Sequence, residues 1–282
     1  MNDDYLWDRS GPPDLEVARL ERRLAPLRYR HRSPRPSRVR WAVAGALIAA
    51  AAGLVLMVTP EARNSSWQVA GARLRQGQTV RTGNQALRLE AEEVGSVDLA
   101  ANSVLRTAGG KWLALERGEL HAFIWAPARD FVVETPSARA VDLGCEYTLN
   151  VDENGDGVLR VKMGWVAFQV GDREAFIPAG ATCVTHRRGG PGIPYFEDAP
   201  EGLRRGVAGF EHGDQGALRG LLAAARTRDG LTLWHLLTRV PERDRAAVFD
   251  RFRDLVQLPA GVSRDAVLRR DARETQIGRA HV

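Results

Sequence analysis

The sequence predicts a mostly β chain with added helices: an N-terminal transmembrane helix, an all-β module of solenoid or sandwich type, and a C-terminal bundle of short helices. Three observations predict it. Residues 41–59 are one uninterrupted apolar run without a charge. Residues 60–198 break into short stretches of alternating hydrophobicity that recur every 8–12 residues, parted by Gly, Asn, Asp or Pro. Residues 199–276 change to a helical period, with cap residues ahead of the apolar stripes.

Composition agrees with a folded chain. Of 282 residues, 44% are hydrophobic and 27% charged, which excludes a wholly disordered or collagen-like protein. Two cysteines are too few for a disulfide-dense scaffold or a four-thiolate zinc site. The net charge of +5 comes from 40 basic and 35 acidic residues, and Lys111 and Lys162 are the only lysines. Much of the excess lies in one short stretch, so it does not describe a folded nucleic-acid-binding patch.

That stretch is the N-terminal tail, residues 1–40. Asp14–Leu27 fits a weak amphipathic helix with acids early and arginines late. Between Arg22 and Arg40 stand eight arginines and no acid, among them Arg35, Arg38 and Arg40 next to the apolar run. The run itself, Trp41–Thr59, has nineteen residues. At about 1.5 Å per residue a helix of that length covers roughly 28 Å, close to the hydrocarbon thickness of a bilayer. Pro60 is a natural stop. The arginines fix the expected orientation: tail in the cytoplasm, residues 60–282 on the far side. A charged region of 40 residues is too long for a cleaved signal peptide, so the segment reads as an uncleaved signal anchor. The lipid bilayer is thus the first expected partner.

In the β region the alternation is clearest at Leu87–Leu89, Val97–Leu99, Trp112–Leu115, Leu120–Ile124, Phe131–Val133, Tyr147–Val151, Val158–Val161 and Val166–Val170. Glycines at 71, 77, 83, 95, 118, 144, 164, 171 and 180 mark its corners. Gly83, Gly95, Gly118, Gly144, Gly164 and Gly180 are the expected fold-determining turns. In the helical region Asp214 is placed to cap the segment through Arg228, Asp229 to start Gly230–Val240, Pro241 to open the helix through Gln257, and Ser263 to cap a last helix through Leu268. The final residues, IGRAHV at 277–282, match one translation frame of a common sequencing-library adapter and carry no expected fold or function.

Chemistry-bearing patterns are sparse. Asp152–Gly157 (DENGDG) imitates the opening of an EF-hand calcium loop, but the twelfth position is Met163 where a Glu is needed. With strands expected on both sides it reads as a hairpin turn. Cys145 and Cys183 can pair as a disulfide or stay as two separately buried thiols. Glu90, Glu92 and Glu93 could pair for glycosidase chemistry, though a charged strand edge is the commoner use of such a cluster. The six histidines are scattered, and His121 and His235 fall at structural positions on a strand and a helix. No nucleophile elbow, zinc-protease, P-loop or dinucleotide fingerprint occurs. The chain therefore reads as non-enzymatic, with no catalytic residue, metal, cofactor, nucleic acid or small-molecule substrate expected.

Six segments in order carry a resemblance. They are GARLRQGQTVRTG (Gly71–Gly83), GSVDLAANSVL (Gly95–Leu105), LALERGELHAFI (Leu113–Ile124), FVVETPSARAVDLGCEYTL (Phe131–Leu149), VLRVKMGWVAF (Val158–Phe168) and FIPAGA (Phe176–Ala181). Together, over roughly residues 67–186, they resemble the FecR domain of bacterial cell-surface signalling proteins. Two turns depart from its pattern: Cys145 stands where Thr is usual after Gly144, and Val94-Gly95-Ser96 where Asp-Gly-Ser is usual. The resemblance implies a single-pass inner-membrane protein with a periplasmic β domain that meets an envelope partner. It further implies a cytoplasmic part that binds an extracytoplasmic-function sigma factor. The usual sigma-binding part is a helical unit of about 80 residues, and residues 1–40 are half that. An envelope scaffold or adhesion module without a signalling role is the alternative.

Overall fold

The computed structural model describes residues 64–171, 173–214, 216–258 and 264–268. The tail, Arg35, Arg38, Arg40, the apolar run 41–59 and residues 277–282 lie outside the described residues. Among the described residues no helix is long and apolar enough to cross a membrane. The chain divides once, between Thr59 and Pro60, and everything described belongs to the second unit.

The described part is mostly β, with sixteen strands and a few helices. The strands form one connected network, antiparallel except for a short parallel pairing of β7 with β8. Its axis is β7 (Leu113–Ile124), which belongs to two ladders at once. The first half of β7 pairs with β6 (Val104–Thr107) and β8 (Val132–Glu134). From β8 that ladder continues through β9 (Arg139–Asp142) and β12 (Trp165–Val170) to β13 (Arg173–Pro178). The second half pairs with β5 (Gly95–Leu99) and β10 (Glu146–Val151). That ladder extends outward through β4 (Leu87–Ala91) to β1 (Asn64–Val69), and on the other side through β11 (Gly157–Met163) to β14 (Ala181–His186). Strands β2 (Ala72–Arg75), β3 (Thr79–Arg81), β15 (Gly190–Pro191) and β16 (Tyr195–Phe196) finish the edges.

Alternation follows from the pleat, which sends successive side chains to opposite faces. In β10, Tyr147, Leu149 and Val151 are buried while Glu146, Thr148 and Asn150 are not. The inward residues of both ladders meet in one core that includes Trp67, Leu99, Leu115, Phe131, Leu149 and Phe168. Trp67 and Phe131 pack at 5.5 Å between ring centroids.

The step between ladders occurs at Gly118, whose φ is +95°. A β-carbon there would lie 2.1 Å from Ser103 Oγ and 2.5 Å from Ser103 Cα, so only glycine fits. Ser103 Oγ accepts the Glu119 amide at 3.0 Å, and the Ser103 amide donates to Thr82 Oγ1 at 2.8 Å. Gly83 departs from the expectation for the corner glycines: its φ is not positive and no atom lies where its β-carbon would stand. The other five expected turn glycines, Gly95, Gly118, Gly144, Gly164 and Gly180, do take positive φ.

The helices are α1 (Glu201–Glu211), α2 (Ala217–Ala224), α3 (Gly230–Leu237), α4 (Glu242–Leu255) and α5 (Arg264–Leu268). They have a second core built around Leu203, Leu221, Leu236, Val248 and Phe249. Helix α3 is buried on nearly all sides, which suits its GLTLWHLL sequence. Asp229 stands at the N-cap position of α3, as expected, but its fully buried side chain makes no bond to the α3 amides and accepts from the Arg226 amide, Nε and Nη2. The capping expectation for Asp214 is corrected: Gly216 holds the N-cap position of α2, and Asp214 accepts the Gly216 amide in the turn ahead of it.

Candidate interaction surface

The β4–β5–β7–β10–β11 face that turns away from the core carries the densest set of exposed chemistry. Cross-strand register builds it row by row. One row runs Arg88–Asp98–His121–Thr148–Arg160–Thr182, from β4 to β14. The next runs Gln68–Glu90–Ser96–Phe123–Glu146–Met163, from β1 to β11. At the end of this second row the β10–β11 pairing shifts, leaving Lys162 as an extra residue between Val161 and Met163.

Charges on the face are paired. Glu146 Oε1 accepts from Lys162 Nζ at 2.8 Å and lies 3.0 Å from His121 Nε2. The Lys162 hydrogen bond, with His121 behind it, holds the Glu146 carboxyl below the usual carboxylate range. Arg88 reaches Glu90 at 3.1 Å, both Asp98 oxygens at 3.1 Å and Ser96 Oγ at 3.0 Å. Beside this network the surface turns apolar. Phe123 and Trp125 meet edge to face at 5.9 Å, and Met163 stands beyond Glu146. They are 41%, 55% and 48% exposed, where large apolar side chains are usually covered. Trp125 Nε1 donates to the Glu92 carbonyl at 2.9 Å, which fixes the indole across the β4–β5 turn.

The carboxylates weighed for glycosidase chemistry sit here. Glu90 is tied to Arg88, and Glu92 and Glu93 are exposed in the turn. Beside them is a shallow hollow of about 350 Å³ that also touches Gln68 and Trp125. A larger, mostly apolar cavity of about 480 Å³ lies where β12 and β13 face α3 and α4, with Trp165, Pro178, Phe196 and Phe252 on its walls. Arg228 stacks over Phe196 at 4.2 Å there and pairs with Asp198 at 3.1 Å.

The two cysteines are free and buried. Strand β11 separates them: Cys183 pairs with Leu159, which pairs with Leu149, four positions past Cys145. Two strand spacings are about 9.6 Å, beyond the roughly 7 Å that a disulfide spans between α-carbons. The disulfide reading of Cys145 and Cys183 is therefore replaced by two separate thiols. Cys145 donates to the buried Asp142 carboxylate, and burial raises the pKa of both groups. Burial also pushes the Cys183 thiol up to about 12.

The DENGDG segment is a hairpin turn. Asp152 Oδ1 accepts the amides of Asn154 and Asp156, and Asp156 Oδ1 accepts the amide of Arg187. Among the described residues no group of three or more His, Cys, Asp or Glu side chains is arranged to hold a metal ion. Sequence reasoning missed two features. The Phe123–Trp125 pair breaks the outward polar parity of HAFIW, a signal that was present. Glu211 at the end of α1 is mostly buried, accepts the Ile193 amide and is raised in pKa by that burial; nothing in the local sequence marks it.

No family profile and no curated protein matches the chain. Among solved structures, two crystal structures of a candidate anti-sigma factor from Parabacteroides distasonis ATCC 8503, at 1.65 and 2.50 Å resolution, are similar at 18% and 17% identity. Each has a TM-score of 0.37 and overlaps 48% of this chain. The chain spans 65% of the length of the chain in each of those structures.

Proposed function

We propose that the chain is a non-enzymatic, membrane-anchored regulator of the FecR type, held in the inner membrane of a Gram-negative-type bacterium. In this reading residues 41–59 cross the bilayer once, with the arginine-rich tail in the cytoplasm. The β module meets an envelope protein in the periplasm, and residues 1–40 contact an extracytoplasmic-function sigma factor.

One observation supports it above the others. The six resembling segments fall in order on β2–β3, β5–β6, β7, β8–β10, β11–β12 and β13–β14; two of them take in whole strands, and the other four cover parts of neighbouring strands with the turns between them. The paired charges on the outward face leave an ordered polar surface suited to a protein partner. The test is co-purification of the full chain, in detergent, with the sigma factor encoded beside it. Retention that disappears when residues 1–40 are replaced by an unrelated basic anchor is the expected result. Equal retention, or none, removes the sigma-factor role. The second reading, an envelope scaffold, predicts no transcriptional effect of that replacement.

A further inference from the structure

The apolar patch on the outward face lies at a particular end of the sheet. Strand β1 runs antiparallel to β4, β4 to β5, and β5 to β7, so β1 runs opposite to β7. Gln68 is level with Phe123 through Glu90 and Ser96. Going back from Gln68 to Asn64 therefore moves in the same direction as going forward from Phe123 to Trp125. The start of β1 and the Phe123–Trp125–Met163 patch share one end of the ladder.

The covalent chain limits how far that end can be from the apolar run. Five residue steps separate Thr59 from Asn64. At a maximum of about 3.6 Å each they span roughly 18 Å. Three of the five exposed large hydrophobic side chains among the described residues, Phe123, Trp125 and Met163, thus sit at the tethered end. The adjoining row, Arg88–Asp98–His121–Thr148–Arg160–Thr182, is polar throughout.

We propose that Phe123, Trp125 and Met163 form a membrane-docking edge that seats the β module against the surface of its own bilayer. The proposal rests on residues 41–59 being the anchor. An indole suits the headgroup level, where Trp and Tyr gather, and the phenyl ring beside it adds apolar surface that can be buried at the acyl boundary. Trp125 is held ready for this by its bond to the Glu92 carbonyl. Charges at this end have both signs, with Lys162 paired to Glu146 and with Glu92 and Glu93 exposed in their turn. The contact is therefore apolar insertion, without a preference for anionic lipid.

Both native thiols are fully buried, so one introduced cysteine can be labelled selectively. The full chain is reconstituted in phosphatidylcholine vesicles carrying a headgroup spin-labelled lipid. An environment-sensitive fluorophore is placed through Glu92→Cys, or through Glu153→Cys in the hairpin turn at the opposite end. Docking predicts strong quenching at 92 and weak quenching at 153. The difference is lost in a Phe123→Ser, Trp125→Ser chain and unchanged when phosphatidylglycerol is added. Resistance of that double variant to trypsin, equal to the parent's, shows that it folds; Met163→Ser, on a separate strand, serves as a second, milder variant with a partial loss. Equal quenching at both positions, or a difference that survives the double substitution, overturns the proposal and leaves the patch to a protein partner. Alkaline carbonate extraction separates the two layers of the argument. A chain washed off the vesicles defeats the anchor and the docking edge together, whereas one that stays but leaves position 92 unquenched defeats the edge alone.

Discussion

Gly118→Ala should be far more damaging than Gly83→Ala, although both glycines close a strand–turn step in the sequence. At Gly118 an added methyl meets Ser103 Oγ at 2.1 Å and the Ser103 backbone at 2.5 Å, with φ at +95°. The left-handed backbone costs an L-residue roughly 1–2 kcal/mol, and forcing apart a packed contact costs about 1–3 kcal/mol more. Relief by moving Ser103 is blocked, because its amide is held by Thr82 and its hydroxyl by the Glu119 amide. A total loss of about 3 kcal/mol follows. With a urea m-value of roughly 3 kcal/mol/M for a unit of this size, the midpoint should fall by about 1 M. At Gly83 no atom stands in the way and φ is not positive, so alanine should be neutral or stabilise by about 0.4–1 kcal/mol through the unfolded chain. The assay is urea unfolding of the full chain in detergent, followed by tryptophan fluorescence. Equal midpoint shifts for the two variants would refute the argument that Gly118 is where the chain changes ladders.

Two further outcomes follow from the buried groups. Cys145 and Cys183 should resist alkylation by N-ethylmaleimide in the native chain and react fully in denaturant without reductant; a need for reductant would restore the disulfide. Glu211→Gln keeps an acceptor for the Ile193 amide and removes a carboxyl whose pKa is raised by burial. Because the folded form binds that proton more tightly, the wild-type chain loses stability as pH rises from the ordinary glutamate pKa to the raised one. The glutamine variant should lack this component, so its stability relative to wild type should increase across that window, measured as urea midpoints from pH 4 to 7. A constant difference across the window would place the buried charge elsewhere.

The strands were legible because their cause is local. A pleated strand with one buried face must alternate, and Glu146–Val151 or Leu87–Ala91 show that alternation directly. The hairpin at Asp152–Asp156 was legible for the same reason, since turn chemistry is set by adjacent residues. What was not legible depends on which strands become neighbours. Cys145 and Cys183 look alike in sequence, each beside a glycine corner, and only the insertion of β11 between them forbids a bond. Gly83 and Gly118 look alike too, and only the return of Ser103 against β7 makes one irreplaceable. Asp229 stands where a cap belongs, yet burial in front of Arg226 gives its carboxylate a better set of donors than the helix amides. The exposed patch is the opposite case. Its residues break the local pattern in plain sight, because Leu120, Ala122 and Ile124 already fill the inward positions and Phe123 and Trp125 are then apolar residues left facing out. A side chain that violates the parity of its own strand gains little from the core, so the double substitution of Phe123 and Trp125 separates a role within the module from one outside it.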